Sequence, residues 1–421
     1  MTILNPDDPI MIGLYYCYLD MQHTLAEHLK FQEKLCKDLS LFGRIRVSPE
    51  GINGVLSGSS SNLKEYERFL SIEIENILSK ESDASLPTRY GNTLDIKYCH
   101  LRPDIPIEKQ VFTNLSVKAT KEVVSLNDGT APNSSQLHKK RGRNKQRNNV
   151  VKDAVIKVND FEPAIHLTPY QWNQELMQSQ NDSDAILIDA RNCYESAVGH
   201  FKVDGLPTLL TNTRKYSTIS DVLKANANTL SGKKVMMYCT GGVRCERASS
   251  YLLALAESDE WPKGVDKPKA VYQLQGGIQK YLEAFGTTED GSRRQILRHD
   301  SDKELDDTTG PCLYAGRNFV FDPRRIDPVV GISGKAVGRC VLCLTPHDDY
   351  DNGFAPSEEK EARCCRCRVL VLVCNTCRER VRIWGEEKST LEDSKPDLYC
   401  GGKGECMNEG NEVEHCTLVQ Y

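Results

Sequence analysis

The chain has 421 residues, 39% hydrophobic and 27% charged, with a formal net charge of −5. At roughly 100–200 residues per domain, this length implies two to four domains, each able to bury its own core. No run of about 20 apolar residues is present to cross a membrane, and residues 1–9 lack the basic and apolar parts of a secretory signal. The acidic balance leaves room only for a local nucleic-acid footprint.

Residues 10–118 read as an alternating α/β unit. Ile12–Leu19 is an apolar, aromatic-rich strand, and Leu25, Leu29, Leu35 and Leu39 recur near helical spacing. Arg44–Ser48 and Ile52–Ser57 are short strands joined at Pro49-Glu50-Gly51. Asn62–Leu78 is a second helix with Leu63, Tyr66, Phe69 and Leu70 on one side, and Thr93–Tyr98 supplies the last strand. The order βαββαβ predicts a ferredoxin-like, acylphosphatase-like domain.

Residues 119–160 change composition to Asn, Ser, Gly and charge, which predicts a flexible linker. Within it, Lys139, Lys140, Arg141, Arg143, Lys145 and Arg147 are concentrated in one run. That run reads as a solvated loop, a phosphate-contacting patch or a nuclear-import signal.

A second α/β unit is predicted over 161–286. Strand Ala185–Ile188 ends in Asp189-Ala190-Arg191; strand Val235–Tyr238 leads to a helix over Glu246–Glu257. Strand Ala270–Leu274 is followed by Gly276-Gly277 and a helix over Ile278–Phe285. Strands alternating with helices imply a parallel sheet covered on both faces. The polar, acidic stretch Thr287–Gly310 opens a linker expected over 287–334, which should uncouple the cysteine-rich region 335–421 from the domain before it.

The strand Val235–Tyr238 runs into Cys239-Thr240-Gly241-Gly242-Val243-Arg244-Cys245 and then a helix. Ligands sit at the carboxyl ends of strands in such sheets. Gly241 and Gly242 permit a tight curve whose backbone N–H groups form an anion-binding nest, and the following helix adds its N-terminal partial charge. Arg244 can add a full one. These effects favour Cys239 as a nucleophilic thiolate, or as a persulfide. Cys245 reads as a resolving thiol or as a buried residue on the first helical turn. A phosphatase would need its arginine at the position held by Cys245, so that reading is set aside.

The six-residue loop headed by cysteine between strand and helix resembles the rhodanese active site. Asp189-Ala190-Arg191, Glu195 and Gly199-His200-Phe201 are similar to the first signature of that family, and Gln275-Gly276-Gly277 to its last. The wording from Cys239 to Ser249 resembles a narrower group, the bacterial tRNA uridine hydroxylases and their eukaryotic rhodanese-like relatives. Glu50–Gly54 with Leu56-Ser57-Gly58 resembles the N-terminal motif of that group, and Lys121–Leu126 and His166–Trp172 its inter-domain segment. The resemblance implies that Cys239 is the nucleophile, that Thr240, Gly241, Gly242, Val243 and Arg244 form its loop, and that Asp189 and Arg191 are a structural ion pair. It also implies oxygen-dependent 5-hydroxylation of a wobble uridine, with tRNA as partner. The basic linker and the Thr287–Gly310 stretch depart from the bacterial pattern.

Of the 17 cysteines, ten lie after residue 335: Cys340, Cys343, Cys364, Cys365, Cys367, Cys374, Cys377, Cys400, Cys406 and Cys416. A chain without a secretory signal is expected in the reducing cytoplasm, where clustered cysteines read as metal ligands. Cys340/Cys343, Cys364/Cys367 and Cys374/Cys377 are C-x2-C knuckles, in which one turn directs both sulfurs at a tetrahedral ion. Six ligands do not divide into fours, so Cys400, Cys406, Cys416 or His415 should complete a second site. Two structural zinc ions and no organic cofactor are expected, with iron–sulfur ligation as the alternative.

Three functions follow. The first is a tRNA uridine hydroxylase-like enzyme. The second is a sulfurtransferase in which Cys239 takes sulfane sulfur from a donor such as thiosulfate. The third is a non-catalytic, zinc-binding interaction protein, which retention of Cys239 disfavours.

Overall fold

A computed structural model describes residues 7–80, 94–102, 105–126, 163–287, 310–331, 336–350, 362–381, 396–401, 406 and 417–419. In the N-terminal part, β1 (Ile10–Tyr18), α1 (Leu25–Asp38), β2 (Phe42–Ser48), β3 (Gly51–Ser59), α2 (Ser60–Lys80) and β4 (Lys97–Cys99) follow the expected βαββαβ order. A further strand, β5 (Leu115–Ala119), pairs parallel to β2, giving a sheet ordered β4-β1-β3-β2-β5. That fifth strand lacks a fully buried residue, so it carries no apolar alternation to reveal it.

β1 is apolar or aromatic at every position, as a strand covered on both faces must be. Tyr15 and Cys17 enter the core with Leu63, Tyr66 and Leu70 of α2. A buried polar chain runs through this core: Tyr15 meets the Tyr66 hydroxyl, which donates to Gln32, which in turn meets His28 at 2.9 Å. Leu14, Tyr16 and Tyr18 alternate onto the opposite face.

The central part contains β6 (Ile165–Leu167), α3 (Pro169–Gln178), β7 (Ala185–Asp189), α4 (Cys193–Ser196), β8 (Gly199–Phe201), β9 (Thr208–Leu210), α5 (Ile219–Ala225), α6 (Ala227–Leu230), β10 (Lys234–Tyr238), α7 (Val243–Glu257), β11 (Ala270–Leu274) and α8 (Gly277–Phe285). Strands β9, β7, β10, β11 and β6 are parallel neighbours. The two-residue period of the strands divides the core. Ile186, Ile188, Val235 and Met237 pack with α5, α6 and α7, while Leu187, Met236 and Tyr238 pack with Trp172 of α3 and Ile278 of α8. Each such buried side chain contributes about 1.5–3 kcal/mol. Thr168 starts α3 through a reciprocal capping box with Gln171, ahead of Pro169.

The tail departs from expectation. Within the predicted linker 287–334, β12 (Tyr314–Phe319) pairs antiparallel with β8 and with β13 (Ile326–Val330). Tyr314 is fully buried against Phe201, with ring centroids 5.2 Å apart. The polar composition of the Thr287–Gly310 stretch before it concealed a hairpin whose apolar residues complete the central core. α9 (Asn375–Arg378) follows, and β14 (Thr417–Val419) pairs antiparallel with β9 at the sheet edge. The tail is therefore stitched to the central part rather than uncoupled from it. The expected basic patch at 139–147 lies outside the described residues.

Candidate active site and metal centres

β10 delivers Cys239 to the carboxyl edge of the sheet, and α8 fixes the loop from behind. The N–H groups of Ile278 and Gln279 donate to the carbonyls of Cys239 and Thr240 at 2.9 and 3.0 Å. Gly277 has φ of 65°, and a Cβ there would lie 2.6 Å from the Cys239 carbonyl oxygen, so only glycine fits. Gly242, at φ 99°, turns the chain into α7 and donates its N–H to Cys239 Sγ at 3.2 Å.

Cys239 is fully buried, and burial alone would push its thiol up. The Cys245 thiol, the charge of Arg244 and the backbone N–H groups of Cys245 and Arg244 outweigh burial and bring it from 9.0 to about 6. Cys245, also fully buried, is held well above its ordinary range by burial and by Cys239, so it remains a thiol that donates to its neighbour.

Arg244 does not face the sulfur alone. Its guanidinium makes a bidentate pair with Glu195 at 2.7 and 2.6 Å and donates to Thr240 Oγ1 at 2.9 Å; that hydroxyl donates to Glu195 at 3.0 Å. Glu195 thus braces both ends of the loop, a partnership its place in the signature did not disclose. Beneath it, Asp189 and Arg191 form a fully buried bidentate pair at 2.8 and 2.7 Å, and Arg191 also donates to the Gly199 carbonyl at 2.6 Å.

The N-terminal sheet closes over this loop with the outward face of β1. A Cβ on Gly242 would meet the Tyr16 hydroxyl at 2.8 Å, and one on Gly241 would meet Leu14 at 3.3 Å. Tyr16 donates to Glu246 at 2.9 Å and Tyr18 to the Val243 carbonyl at 3.3 Å. Glu246 also meets His166 at 2.8 Å and Gln273 at 3.0 Å. Arg247 of α7 reaches Glu50 at 3.4 Å and Glu122 at 3.0 Å. Sequence reasoning passed over Tyr16, Tyr18 and Glu246. The signal available was the unbroken apolar run of β1, which demands a partner on its second face.

In the tail, the eight expected cysteines assemble into two groups of four. Cys340 and Cys343 join Cys374 and Cys377, whereas Cys364 and Cys367 join Cys400 and Cys406. The order along the chain is interleaved, so the two groups brace each other. The first two knuckles share one hydrogen-bond pattern: Leu344 N–H to the Cys340 carbonyl at 2.9 Å, and Arg368 N–H to the Cys364 carbonyl at 3.0 Å. Cys343 and Cys374 are 3.6 Å apart at sulfur and Cys367 and Cys400 3.8 Å, and the sulfurs of each group all lie within 4.8 Å of one another. Four sulfurs 2.3 Å from one tetrahedral ion sit about 3.8 Å apart, so the donor sets fit zinc and are far too open for disulfides. Cys416 and His415 lie outside the described residues.

The metal groups abut the active site. Cys193 and Tyr194, which immediately precede Glu195, pack into the core formed by the ligating cysteines. Arg214 donates to the Cys367 carbonyl at 2.9 Å, and Tyr350 donates to the Tyr194 carbonyl at 2.6 Å.

Comparison with known proteins bears on the whole arrangement. Residues 10–123 match the UPF0176 acylphosphatase-like domain. The tRNA uridine(34) hydroxylase of Rhodococcus erythropolis is 30% identical over 367 residues, covering 87% of this chain and 96% of that protein. The chain belongs to the tRNA uridine(34) hydroxylase family. The Corynebacterium glutamicum hydroxylase is 28% identical over 366 residues, 87% of this chain and 88% of its own length. Rhodanese-like domain-containing protein 6 of Arabidopsis thaliana is 30% identical over 385 residues; these span 90% of this chain but 53% of that longer relative, about half its length. Membership makes the chain an enzyme of the rhodanese/hydroxylase type, with the N-terminal sheet, central parallel sheet and cysteine clusters as its parts. Among the described residues, no helix is long and apolar enough to cross a membrane.

Proposed function

We propose that this enzyme carries out oxygen-dependent hydroxylation of the wobble uridine of tRNA in the cytoplasm, with Cys239 as its nucleophile. The observation that carries this reading is a buried thiol brought to about 6 inside the loop between β10 and α7, in a chain related over 87% of its length to a hydroxylase of that name. The thiolate is the nucleophilic form of Cys239. Thr240, Gly241, Gly242, Val243 and Arg244 hold it, Cys245 supplies a hydrogen bond to it, and Asp189 with Arg191 sets the base of the site.

The two cysteine groups hold zinc in a structural role, since all four positions of each ion are taken by protein and none is open to substrate. Each ion would fix the turns that pack against Tyr194 and so the wall behind Glu195. Phosphate contacts from Lys139, Lys140, Arg141, Arg143, Lys145 and Arg147 would give an otherwise acidic chain a local site for tRNA.

The same loop supports a second reading. The Cys239 thiolate attacks the sulfane sulfur of thiosulfate, a sulfur–sulfur bond forms, and sulfite leaves with the bonding pair. An acceptor thiolate then takes the outer sulfur and regenerates Cys239. The nest of N–H groups around Sγ favours this reading, because it stabilises a persulfide anion as well as a thiolate. Mass analysis of tRNA nucleosides from cells lacking the protein separates the two. Loss of 5-hydroxyuridine derivatives at the wobble position supports hydroxylation. An unchanged hydroxylated pool with lost thiosulfate turnover supports sulfur transfer.

A further inference from the structure

The hairpin between β12 and β13 carries an aromatic ring that no step above uses. Phe321 is 44% exposed, yet the Arg244 guanidinium lies 5.3 Å from its ring centroid. Single exposed apolar side chains are ordinary on protein surfaces. What sets this one apart is how firmly it is held beside the nucleophile loop. Asp322 and Arg324, on the same turn, form a buried bidentate pair at 2.9 and 2.6 Å, and Arg324 also donates to the His100 carbonyl of the N-terminal part at 2.8 Å. The turn closes through Val320 N–H to the Arg325 carbonyl at 2.8 Å. Phe319 packs edge-to-face with the ring at 5.4 Å, and Phe319 in turn meets Tyr194, the neighbour of Glu195, at 5.1 Å.

We propose that Phe321 is the platform on which the target pyrimidine stacks when it is turned out of an RNA loop toward Cys239. This rests on the reading of tRNA as substrate. Chemistry on a base requires taking it out of its stack, and proteins receive unstacked RNA bases on aromatic faces. A partly exposed aromatic ring at the edge of the loop, fixed by a buried ion pair and by contacts to two parts of the molecule, receives a base without first having to be ordered. Arg244 beside the ring adds a planar cation, which also favours a π-face. The chemistry recognised is therefore an unpaired base at a hairpin loop, not a duplex.

The test uses the full chain and two synthetic anticodon stem–loops, one with uridine at the first anticodon position and one with an abasic site there. Stacking of a single base corresponds to about tenfold or more in affinity. The wild type should bind the uridine hairpin at least about tenfold more tightly than the abasic one. Phe321→Leu, which keeps the apolar bulk, should lose that preference at an unchanged melting temperature, and Phe321→Trp should keep it. If wild type prefers the uridine hairpin and Phe321→Leu keeps that preference, the platform lies elsewhere and the tRNA reading stands. If wild type binds both hairpins alike, no base is received at all and the proposal falls. If wild type binds neither hairpin, the tRNA reading falls and takes the proposal with it.

Discussion

The loop after β10 and the knuckles of the tail both place cysteines on tight turns with backbone N–H groups aimed at sulfur. At Cys239 the surroundings favour charge on one sulfur: the N–H of Gly242 at 3.2 Å, the Cys245 thiol and the Arg244–Glu195 pair. In the tail, four sulfurs converge on one point twice over. A thiolate held by fixed dipoles keeps a lone pair for reaction, whereas a thiolate held by a metal has given it up. Sequence spacing alone separates the two: a lone cysteine before two glycines and an arginine, against repeated C-x2-C.

Exchanging serine for cysteine should break that contrast most severely in the loop. Cys239→Ser is expected to fold normally and to lose about a thousandfold or more of activity, because a hydroxyl is not ionised near neutral pH. Wild-type turnover by the purified variant in both nucleoside and thiosulfate assays would remove Cys239 from the mechanism.

Metal removal tests the other side. Elemental analysis should find two zinc ions per chain, and structural zinc contributes on the order of 10 kcal/mol or more of apparent binding energy. Because Tyr194 packs on the ligating cysteines and β12 pairs with β8, chelation should also lower the melting temperature of the central part and slow Cys239. Melting of the central part indifferent to chelation would show that the two regions are energetically separate.

Glu195→Gln leaves the Arg244 guanidinium buried beside a neutral amide. The expected cost is roughly 3–5 kcal/mol of stability, read by denaturant unfolding; a change under about 1 kcal/mol would mean that solvent reaches the pair. A smaller effect is expected from Cys245→Ala, which deletes a donor to the thiolate. Alkylation of Cys239 in the wild type should rise through a midpoint near pH 6 and flatten above it, since a depressed thiol gains its anion as pH rises past that value. In the variant the midpoint should move up toward 9.0. A wild-type midpoint near 9 would contradict the arrangement of donors. Smallest of all, deleting 138–147 should flatten the salt dependence of tRNA binding by about 0.7–0.9 log unit per lost phosphate contact; an unchanged slope would assign the contacts to other arginines and lysines.

What could be read from the chain was what local pattern carries. The unbroken apolar runs Ala185–Ile188 and Val235–Tyr238 announced buried strands, and Gly241, Gly242 and Arg244 announced an anion-holding turn after one of them. The knuckles announced metal, but not which would pair with which, because the interleaving is a property of three-dimensional crossing. Tyr16 and Glu246 lie 230 residues apart, and no periodicity links them. Tyr314–Phe319 was hidden for another reason. Its strand is interrupted by Gly316 at φ 84°, where a Cβ would lie 2.4 Å from the Val198 carbonyl oxygen, so the very residue that allows β12 to approach β8 looks like a loop residue.

The roof that β1 makes over Cys239 has a consequence for the lifetime of the enzyme. Thiols with midpoints near 6 are the ones peroxide converts to sulfenic and then irreversibly to sulfinic acid, at a rate set by anion fraction and exposure. Here the anion fraction is high and the exposure is nil. Leu14 and Tyr16 therefore act as a shield for the resting enzyme, and the sulfur meets oxidants only while the site is uncovered for substrate. Damage should then accumulate with the number of catalytic cycles completed rather than with time spent in an oxidising medium.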